Sequence, residues 1–441
     1  MKKIIFLITL PLLLSISCSS SDTRSNFKKL DALAYIPQTP DAIDDYPVER
    51  MSGKTAFDYF KDEWLLCGWN LGNSLDAYTN YGIADERAWS NPTVNQELLN
   101  GVKLSGFDIV RIPVTWMGHI GEAPDHSIKI KYLQRVAEVV SYAHNAGLKV
   151  ILTVFHDGST ENAGKEAGWL SINKAFHSWL YYTNNDYQEI TFKYGRLWKQ
   201  IAEYFQFYGD WLMFESFNEL HDGGWGFGYN FMADPGSQIN LVNEWNQLFT
   251  DAVRSTGGNN ESRFLIYPSY CTIPECTYPG GSIKDGVRGV GDMFKLPADS
   301  VPDRQIVTFH YYRPDELGLG VKGGRYRWGS DADRKILNDD FAPFKSAYID
   351  KRIPVIIGET GAVRQLYPDD PEKEALAREA RSNYLAAVFS IAKNYGLVPL
   401  YWDNGNFTGK GERFGLFDRR SGRPNSDESN ACIQAMIGAV K

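Results

Sequence analysis

The sequence contains few sulfur and imidazole side chains for its length. Among 441 residues there are 5 Cys, 7 His and 7 Met. Beyond residue 18 the cysteines are Cys67, Cys271, Cys276 and Cys432, and no histidine stands near them at the spacing typical of structural zinc sites. We therefore expect no bound metal and no structural zinc. A disulfide between Cys271 and Cys276 and single buried thiols are both compatible with this spacing.

Runs of basic residues are also absent. The formal net charge is -8 and the sequence pI is about 5.5, which is the opposite of the positive footprint that binds a phosphate backbone. Nucleic acid is therefore not an expected partner. The hydrophobic and charged fractions, 43% and 23%, are those of an ordinary globular protein.

The only long apolar run lies at the start of the chain. Lys2 and Lys3 precede the run Ile4 to Ile16, which has the pattern of an export signal and is too short to span a bilayer. Cys18 and three serines follow, which resembles a bacterial lipoprotein processing site. We expect a signal peptide over residues 1–17 and a lipid on Cys18 that attaches the protein to the cell envelope, at the outer membrane or cell surface. Ser15 stands where such sites usually have leucine, so ordinary signal-peptidase cleavage remains an alternative.

Residues 18–52 are rich in Ser, Asp and Pro and lack periodic apolar positions, which indicates a tether. We expect residues 53–441 to form one folded domain and to act as a monomer. Aromatic residues make up 14% of the chain and include 12 Trp. Flat aromatic side chains suit stacking on sugar rings, and an aromatic-rich core explains the same composition equally well.

Eight short apolar runs alternate with longer amphipathic segments along this domain. This alternation is typical of βαβ units, and eight of them predict an α/β fold of the closed (β/α)8 TIM-barrel type rather than an open sheet. The eighth helix is expected over Asn425–Val440, at the end of the chain. The predicted strands are Gly68–Asn73, Asp108–Val114, Lys149–His156, Leu212–Glu219, Phe264–Tyr270, Gln305–Tyr312, Pro354–Gly361 and Val398–Asn404.

Polar side chains concentrate at the carboxyl ends of these predicted strands, where the residues of such a barrel converge on one mouth. Two of them, Glu219 and Glu359, end strands 4 and 7. A pair of carboxyl groups about 5 Å apart cleaves glycosidic bonds with retention of configuration, and a wider gap leads to inversion. The other strand-end residues are Arg111, His156, Asn218, His310, Tyr312 and Trp402.

Six short motifs resemble glycoside hydrolase family 5 over about residues 57–418. They are Gly68-Trp69-Asn70-Leu71-Gly72-Asn73, Val110-Arg111-Ile112-Pro113-Val114-Thr115-Trp116, Asn218-Glu219, His310-Tyr311-Tyr312, Ile357-Gly358-Glu359 and Trp402-Asp403-Asn404-Gly405. The resemblance implies a barrel with Glu219 as acid/base and Glu359 as nucleophile, and no cofactor.

The resemblance also implies roles for the other residues of these motifs. Arg111 and Tyr312 are expected to keep Glu359 ionised with a low pKa, and His310 is expected to tune Glu219, which must hold a proton near neutral pH. Asn218 is expected to bind the sugar 2-hydroxyl. The remaining predicted substrate contacts are Asn73, Trp116, His156 and Trp402, with Trp402 either as a floor under the sugar or as a core residue.

Two positions depart from the family pattern and leave the substrate open. Phe155-His156 stands where many members have two histidines, and Leu220 replaces the usual proline after Asn218-Glu219. Long loops after strands 3, 4 and 6 are expected to wall the cleft, and their tryptophans are either sugar platforms or residues that pin the loop. These tryptophans are Trp169, Trp225 and Trp328, and His119 and His221 are placed at the cleft border.

The predicted activity is that of an endo-β-1,4-glucanase acting on a plant β-glucan. Xyloglucanase and β-mannanase activities fit the same scaffold, and transglycosylation uses the same residues as hydrolysis. A non-catalytic glycan-binding lipoprotein is a different class, which predicts a lost glutamate or asparagine at the mouth. Glu219, Glu359 and Asn218 are all present.

Overall fold

The computed structural model describes residues 48–80, 82–116, 118–155, 179–220, 235–283, 288–321 and 323–441. The predicted signal peptide and most of the predicted tether lie outside these ranges. Within them, no helix is both long enough and apolar enough to cross a membrane.

Eight parallel strands close into a barrel in chain order, which confirms the predicted fold. Each strand pairs with the next, and β1 pairs with β8 from Gly68 opposite Leu400 to Leu71 opposite Asp403. The strands are β1 (Gly68–Leu71), β2 (Ile109–Val114), β3 (Lys149–Val154), β4 (Leu212–Glu215), β5 (Leu265–Pro268), β6 (Gln305–Tyr311), β7 (Val355–Thr360) and β8 (Leu397–Asp403).

Several strands end earlier than the sequence predicted. β1 ends at Leu71 and β4 at Glu215, whereas the predictions ran to Asn73 and Glu219. Asn73 has φ 54°, a left-handed conformation that cannot continue an extended strand. The catalytic candidates therefore lie partly on the first residues of the loops rather than on the strands themselves.

Helices pack around the barrel and connect successive strands. The helix after β5 is a single turn, because Pro279, Gly280 and Gly281 follow it closely and disfavour continuation. The helices that follow β1 to β8 in turn are α1 (Gln96–Leu104), α2 (Ile130–Asn145), α3 (Trp179–Tyr204), α4 (Pro235–Arg254), α5 (Pro274–Thr277), α6 (Asp331–Ala347), α7 (Pro371–Asn394) and α8 (Asp427–Val440), and a further single turn, Asp315–Gly318, precedes α6.

The amino-terminal end of the barrel is closed by apolar side chains. Every second residue of the strands points inward, and a layer that includes Ile109, Ile151 and Met213 fills this end. A short helix, Ala56–Asp62, packs on the same layer through buried Tyr59 and Phe60. This end of the barrel is a packed core, and the polar residues lie at the opposite end.

The folded body extends into the segment predicted as tether. The Glu49 carboxylate accepts a hydrogen bond from the Gly209 N–H at 2.7 Å and another from the Trp211 indole. The Ser52 N–H donates to Asp210 at 2.6 Å. These partners immediately precede β4, so the chain joins the barrel at its closed end.

The four cysteines in the described part of the chain are buried thiols. Cys271 and Cys276 are not joined by a disulfide there. Burial raises the pKa of Cys276 above its usual range, so this thiol behaves as a small core residue.

Candidate active site

A buried arginine organises the polar layer above the apolar end of the barrel. Arg111 follows inward-facing Ile109 by two positions on β2, and its side chain is fully buried. Its Nε donates to Glu215 Oε2 at 2.5 Å, and Nη1 donates to Glu359 Oε1 at 2.8 Å. Nη2 donates to Asn218 Oδ1 at 2.7 Å. Because it has no exposed surface, Arg111 positions other groups and does not contact a ligand itself.

Glu359 is held on both carboxylate oxygens. Oε1 accepts from Arg111, and Oε2 accepts from the Tyr312 hydroxyl at 2.9 Å. The predicted low pKa is wrong in direction: burial raises the pKa of Glu359 above 4.5, although Arg111 and Tyr312 act to lower it. The two contacts favour the ionised form, and desolvation opposes them.

Glu219 has weaker compensation for its burial. It stands four residues beyond the end of β4, and its Oε1 lies 2.6 Å from His310 Nδ1. Burial raises the pKa of Glu219 to about 7, while the Arg111 charge and a hydrogen bond from Thr272 act to lower it. Burial also lowers the pKa of His310 to about 4, so this imidazole is neutral near pH 7. Of the two carboxyl groups, Glu219 has no direct contact with a cation in the described part of the chain and is suited to hold a proton.

The two carboxyl groups face each other closely. One oxygen of each, together with a ring nitrogen of His310, lies within 4.8 Å of the others. This separation fits the geometry of about 5 Å that supports retention of configuration. Three such atoms are also close enough to share a metal ion, but an ion there would occupy the oxygens that the glycosidic reaction requires.

Trp402 forms one wall of the cleft above the glutamates. Its ring stacks on Phe155 with centroids 5.9 Å apart, and 9% of its surface is exposed. Gly72 allows this placement, because a Cβ atom there would lie 2.8 Å from two ring carbons of Trp402. Trp402 therefore packs against the barrel on one side and lines the cleft on the other, which combines the two alternatives considered for it.

The structure brings most of the predicted site residues together. The cleft has a volume of about 1440 Å³, room for several sugar units, and Asn73 lies on its wall. Asn218 lies beneath it, 8% exposed. The predicted residues that line the cleft are Asn73, Glu219, His310, Tyr312, Glu359 and Trp402.

The prediction that Trp116 binds substrate is wrong. Trp116 is fully buried and packs edge-on against Tyr132, with ring centroids 5.6 Å apart. His119, placed at the cleft border, stacks on the Tyr132 ring and bonds the Ala84 carbonyl at 2.9 Å. Both pack against Tyr132 of α2 and neither lines the cleft.

Of the three loop tryptophans, only Trp328 lies among the described residues. Trp328 is buried and packs edge-on against Tyr384 of α7, at 5.4 Å. It pins its loop to the barrel and is not a sugar platform. Trp169, Trp225, His156 and His221 lie outside the described residues.

Several residues of the site were missed by sequence reasoning. Glu215, the last residue of β4, is buried and pairs with Arg111, and a charged residue in an otherwise apolar strand was the available signal. Tyr78 and Trp89, with ring centroids 5.1 Å apart, and Glu412 line the cleft. These three lie in loops after β1 and β8, where no periodic pattern marks them.

Comparison with known proteins agrees with this geometry. The model of the cellulase family, glycosyl hydrolase family 5, matches residues 72–408. The chain belongs to glycoside hydrolase family 5. It is therefore a glycoside hydrolase that acts on O-glycosyl bonds.

Relatives within family 5 cover most of the chain. Endoglucanase A of Paenibacillus barcinonensis is 34% identical over 389 residues, which are 84% of this chain and 88% of that protein. A xyloglucan-specific endo-β-1,4-glucanase of Bacteroides ovatus is 31% identical over 84% of this chain and 68% of its own length. The solved structure of a broad-specificity endoglucanase from Bacteroides salanitronis is 37% identical, with a TM-score of 0.73, and covers 90% of this chain and 97% of that one.

Proposed function

We propose that this family 5 enzyme is a retaining endo-β-1,4-glucanase that hydrolyses a plant β-glucan. The observation that carries the proposal is the pair of carboxyl groups, one half-buried and one buried, with oxygens within 4.8 Å of each other and with different partners. Glu359 contacts a cation and a phenol, whereas Glu219 contacts a neutral imidazole. The pair is thus divided into an ionised and a protonated member before substrate binds.

In the first step, the Glu359 carboxylate attacks the anomeric carbon, and Glu219 gives its proton to the departing glycosidic oxygen. The bond from the anomeric carbon to that oxygen breaks as the bond to Glu359 forms. In the second step Glu219, now ionised, takes a proton from water, which displaces Glu359 and restores the starting enzyme. When Glu359 becomes a neutral ester, its negative charge is lost and the pKa of Glu219 falls, so Glu219 can act as a base. When the ester is hydrolysed, the charge returns and the pKa of Glu219 rises again.

The substrate assignment rests on the relatives and on the shape of the cleft. The enzymes reported above include endoglucanases and one that is specific for xyloglucan. Xyloglucan is the second candidate, because a cleft of about 1440 Å³ has room for a branched chain as well as a linear one. β-Mannan remains a weaker candidate on the same scaffold.

Tyr78 and Trp89 provide an aromatic surface for further sugar rings. Trp89 is half-buried and meets Tyr78 edge-on in the wall of the cleft, in the loop after β1. Aromatic faces bind the apolar faces of sugar rings with little entropic cost. A second aromatic surface in the cleft favours binding of several consecutive units, as endo action requires.

The test is sugar release from carboxymethylcellulose, xyloglucan, glucomannan and lichenan by the protein starting at Val48. Glu359→Gln, which keeps the shape of the side chain and removes its charge, is the control. Activity on one or more polymers that the control lacks supports the proposal, and NMR of the first anomer released distinguishes retention from inversion. Equal activity of both proteins contradicts the assignment of Glu359.

We also propose that a lipid on Cys18 holds the enzyme at the cell envelope. Glu49 and Ser52 join the barrel at the closed end, beside the start of β4, which supports an arrangement with the cleft directed away from an anchor on the amino-terminal segment. Labelled palmitate should be incorporated into the full chain and not into Cys18→Ala. Absence of label from the full chain contradicts the proposal.

A further inference from the structure

The cleft continues past the catalytic pair, along the loops that follow β5 and β6, to one face of α6. The side chains of this part take no role in the two reaction steps, so they are available to bind sugar units that do not react. We call this part of the cleft the α6 arm, and its walls include Ile273, Glu275, Ile283, Arg313, Ile336 and Asp340.

Arg313 connects the walls of the α6 arm. Its Nη1 and Nη2 donate to the two carboxylate oxygens of Glu275 at 2.6 and 2.8 Å, a paired geometry that fixes the plane of the guanidinium. Nη1 also lies 3.8 Å from Asp340 Oδ2, which accepts a hydrogen bond from the Tyr311 hydroxyl at 2.7 Å. Carboxylates of α5 and α6 thus orient Arg313 before a ligand binds.

The Arg313 guanidinium retains donors for a ligand. A guanidinium has five N–H groups, and in the described part of the chain its hydrogen bonds are the two to Glu275. The side chain is 40% exposed and lines the cleft. Its N–H groups can bond two adjacent oxygen atoms, and neighbouring hydroxyl groups of a glucose ring form such a pair. Because the fork is already held in place, little conformational entropy is lost when a sugar binds.

Aliphatic side chains lie beside this arginine. Ile336 and Asp340 are one turn apart on the same face of α6. Ile336 is 50% exposed in the cleft wall, and Ile273 and Ile283 are half-buried there. Small-molecule sites combine an apolar surface with a few fixed polar groups. The α6 arm has this combination, which suits the C–H face and the hydroxyl groups of a sugar ring.

The location of the α6 arm decides which part of the substrate it meets. The loop after β5 adjoins Glu219, because the Cys271 N–H donates to the Leu220 carbonyl at 2.9 Å. β6 brings His310 Nδ1 to 2.6 Å from Glu219. Trp402 lies on β8, which is opposite β4 in the closed barrel. In the proposed mechanism Glu219 protonates the departing oxygen, so the departing chain lies on the side of the α6 arm and the attacked sugar lies toward Trp402.

We propose that Arg313 is a specificity-determining residue that binds hydroxyl groups of the departing part of the β-glucan chain. The inference rests on the proposed retaining mechanism, in which Glu219 marks the side of the leaving group. Glu275 holds the guanidinium in place, and Ile336 supplies apolar contact to the same sugar units. The enzyme then favours substrates that extend beyond the cleaved bond, as endo action requires.

Arg313→Met tests the proposal with two substrates. Cellotetraose has sugar units on both sides of the cleaved bond, whereas 2,4-dinitrophenyl β-cellobioside has a phenolate and no sugar on the departing side. We expect kcat/KM on cellotetraose to fall about tenfold, as loss of a hydrogen bond from a charged group implies. First-turnover release of dinitrophenol should stay within about twofold, since no sugar contact is lost there. The control is Arg352→Met, which removes a guanidinium that bonds Asp58 before β7 and should change neither rate.

A second variant tests the same arm without breaking an ion pair. Ile336→Ser removes a half-exposed apolar side chain, so it should fold even where Arg313→Met lowers the melting temperature. We expect KM for cellotetraose to rise about threefold, in line with the apolar area lost, and dinitrophenol release to be unchanged. Leu104→Ser on α1, where the side chain is 87% exposed and lies outside the cleft, is the matched control and should leave KM unchanged.

Three outcomes would overturn the inference: no loss on cellotetraose in Arg313→Met, an equal loss on both substrates, or the same KM for Ile336→Ser and Leu104→Ser. Glu359→Gln identifies which proposal has failed. If Glu359→Gln is inactive while Arg313→Met keeps full activity on cellotetraose, only the role of Arg313 is refuted. If Glu359→Gln is as active as the unaltered enzyme, the proposed mechanism itself is refuted.

Discussion

At the scale of single residues, the difference between two glutamates comes from what each one touches. Glu359 is buried and Glu219 is half-buried, and desolvation raises the pKa of either carboxyl group. Glu359 has a guanidinium at 2.8 Å and a phenol at 2.9 Å, both of which favour its ionised form. Glu219 has the neutral His310 ring at 2.6 Å. Identical side chains are in this way prepared for opposite roles.

The pH dependence of kcat/KM should report these two environments. Glu219 must be protonated, and its pKa is about 7, so activity should fall as the pH rises through neutrality. Glu359 must be ionised, and its pKa lies above 4.5, so activity should also fall as the pH decreases toward that value. Initial rates on cellotetraose between pH 4 and pH 9 measure both limbs. A basic limb that survives in Glu219→Gln, assayed with 2,4-dinitrophenyl β-cellobioside, would contradict the assignment to Glu219.

Arg111 should be required for stability as well as for activity. Arg111→Met leaves Glu215 and Glu359 buried without their cation, and the loss of one partner of a buried ion pair costs about 3–5 kcal/mol. Urea denaturation measures the cost. The double variant Arg111→Met with Glu215→Met should regain part of the stability and none of the activity, because Glu359 still lacks its partner. A single variant as stable as the unaltered protein would contradict this account.

At the scale of elements, contacts between neighbouring strand ends shape the cleft. β1 and β8 pair up to Leu71 and Asp403, and the Trp402 ring lies over the next residue, Gly72. The Gly72 N–H also donates to the Asp403 carbonyl at 3.0 Å. There is no space for a side chain at residue 72 between these two strand ends, so the position of Trp402 depends on glycine at that residue.

Gly72→Ala should displace Trp402 and weaken sugar binding. The added Cβ atom would lie 2.8 Å from the ring and from the Asp403 carbonyl, so the ring must move. We expect KM for cellotetraose to rise by up to about tenfold, in line with the loss of one aromatic stacking contact. Gly438→Ala in α8, where a Cβ atom meets nothing within 4 Å, is the matched control and should leave KM unchanged. Equal effects of the two substitutions would contradict the explanation.

Periodicity predicted the elements of this fold better than their ends. Buried strands such as Ile109–Val114 are apolar runs, interrupted in this case only by Arg111, so the count of eight and the closed barrel were predictable. The end of β4 was not, because the apolar and aromatic pattern continues through Phe217 although pairing stops at Glu215. Trp116 was placed wrongly because a tryptophan after a strand packs outward as readily as inward, and only tertiary contacts decide between the two. Trp89 was missed because an irregular loop has no periodic pattern of apolar residues from which an inward-facing position can be predicted.

At the scale of the whole molecule, stability and catalysis are located at opposite ends of the barrel. The closed end is filled by apolar side chains and covered by the helix Ala56–Asp62. The mouth carries buried charges and a large cleft. Changes at the closed end should therefore alter the free energy of unfolding with little effect on kcat, as is general for this fold.

The segment before residue 53 provides a direct test of that separation. A protein that starts at Gly53 lacks the bonds of Glu49 to Gly209 and Trp211 and of Ser52 to Asp210. Loss of these partly buried hydrogen bonds should lower the free energy of unfolding by about 1–3 kcal/mol relative to a protein that starts at Val48. Glu49→Gln in the longer protein should give an intermediate loss, and kcat on cellotetraose should be the same in all three. A fall in kcat without a fall in stability would show that the two ends are coupled, since the contacts removed lie at the end of the barrel remote from Glu219 and Glu359.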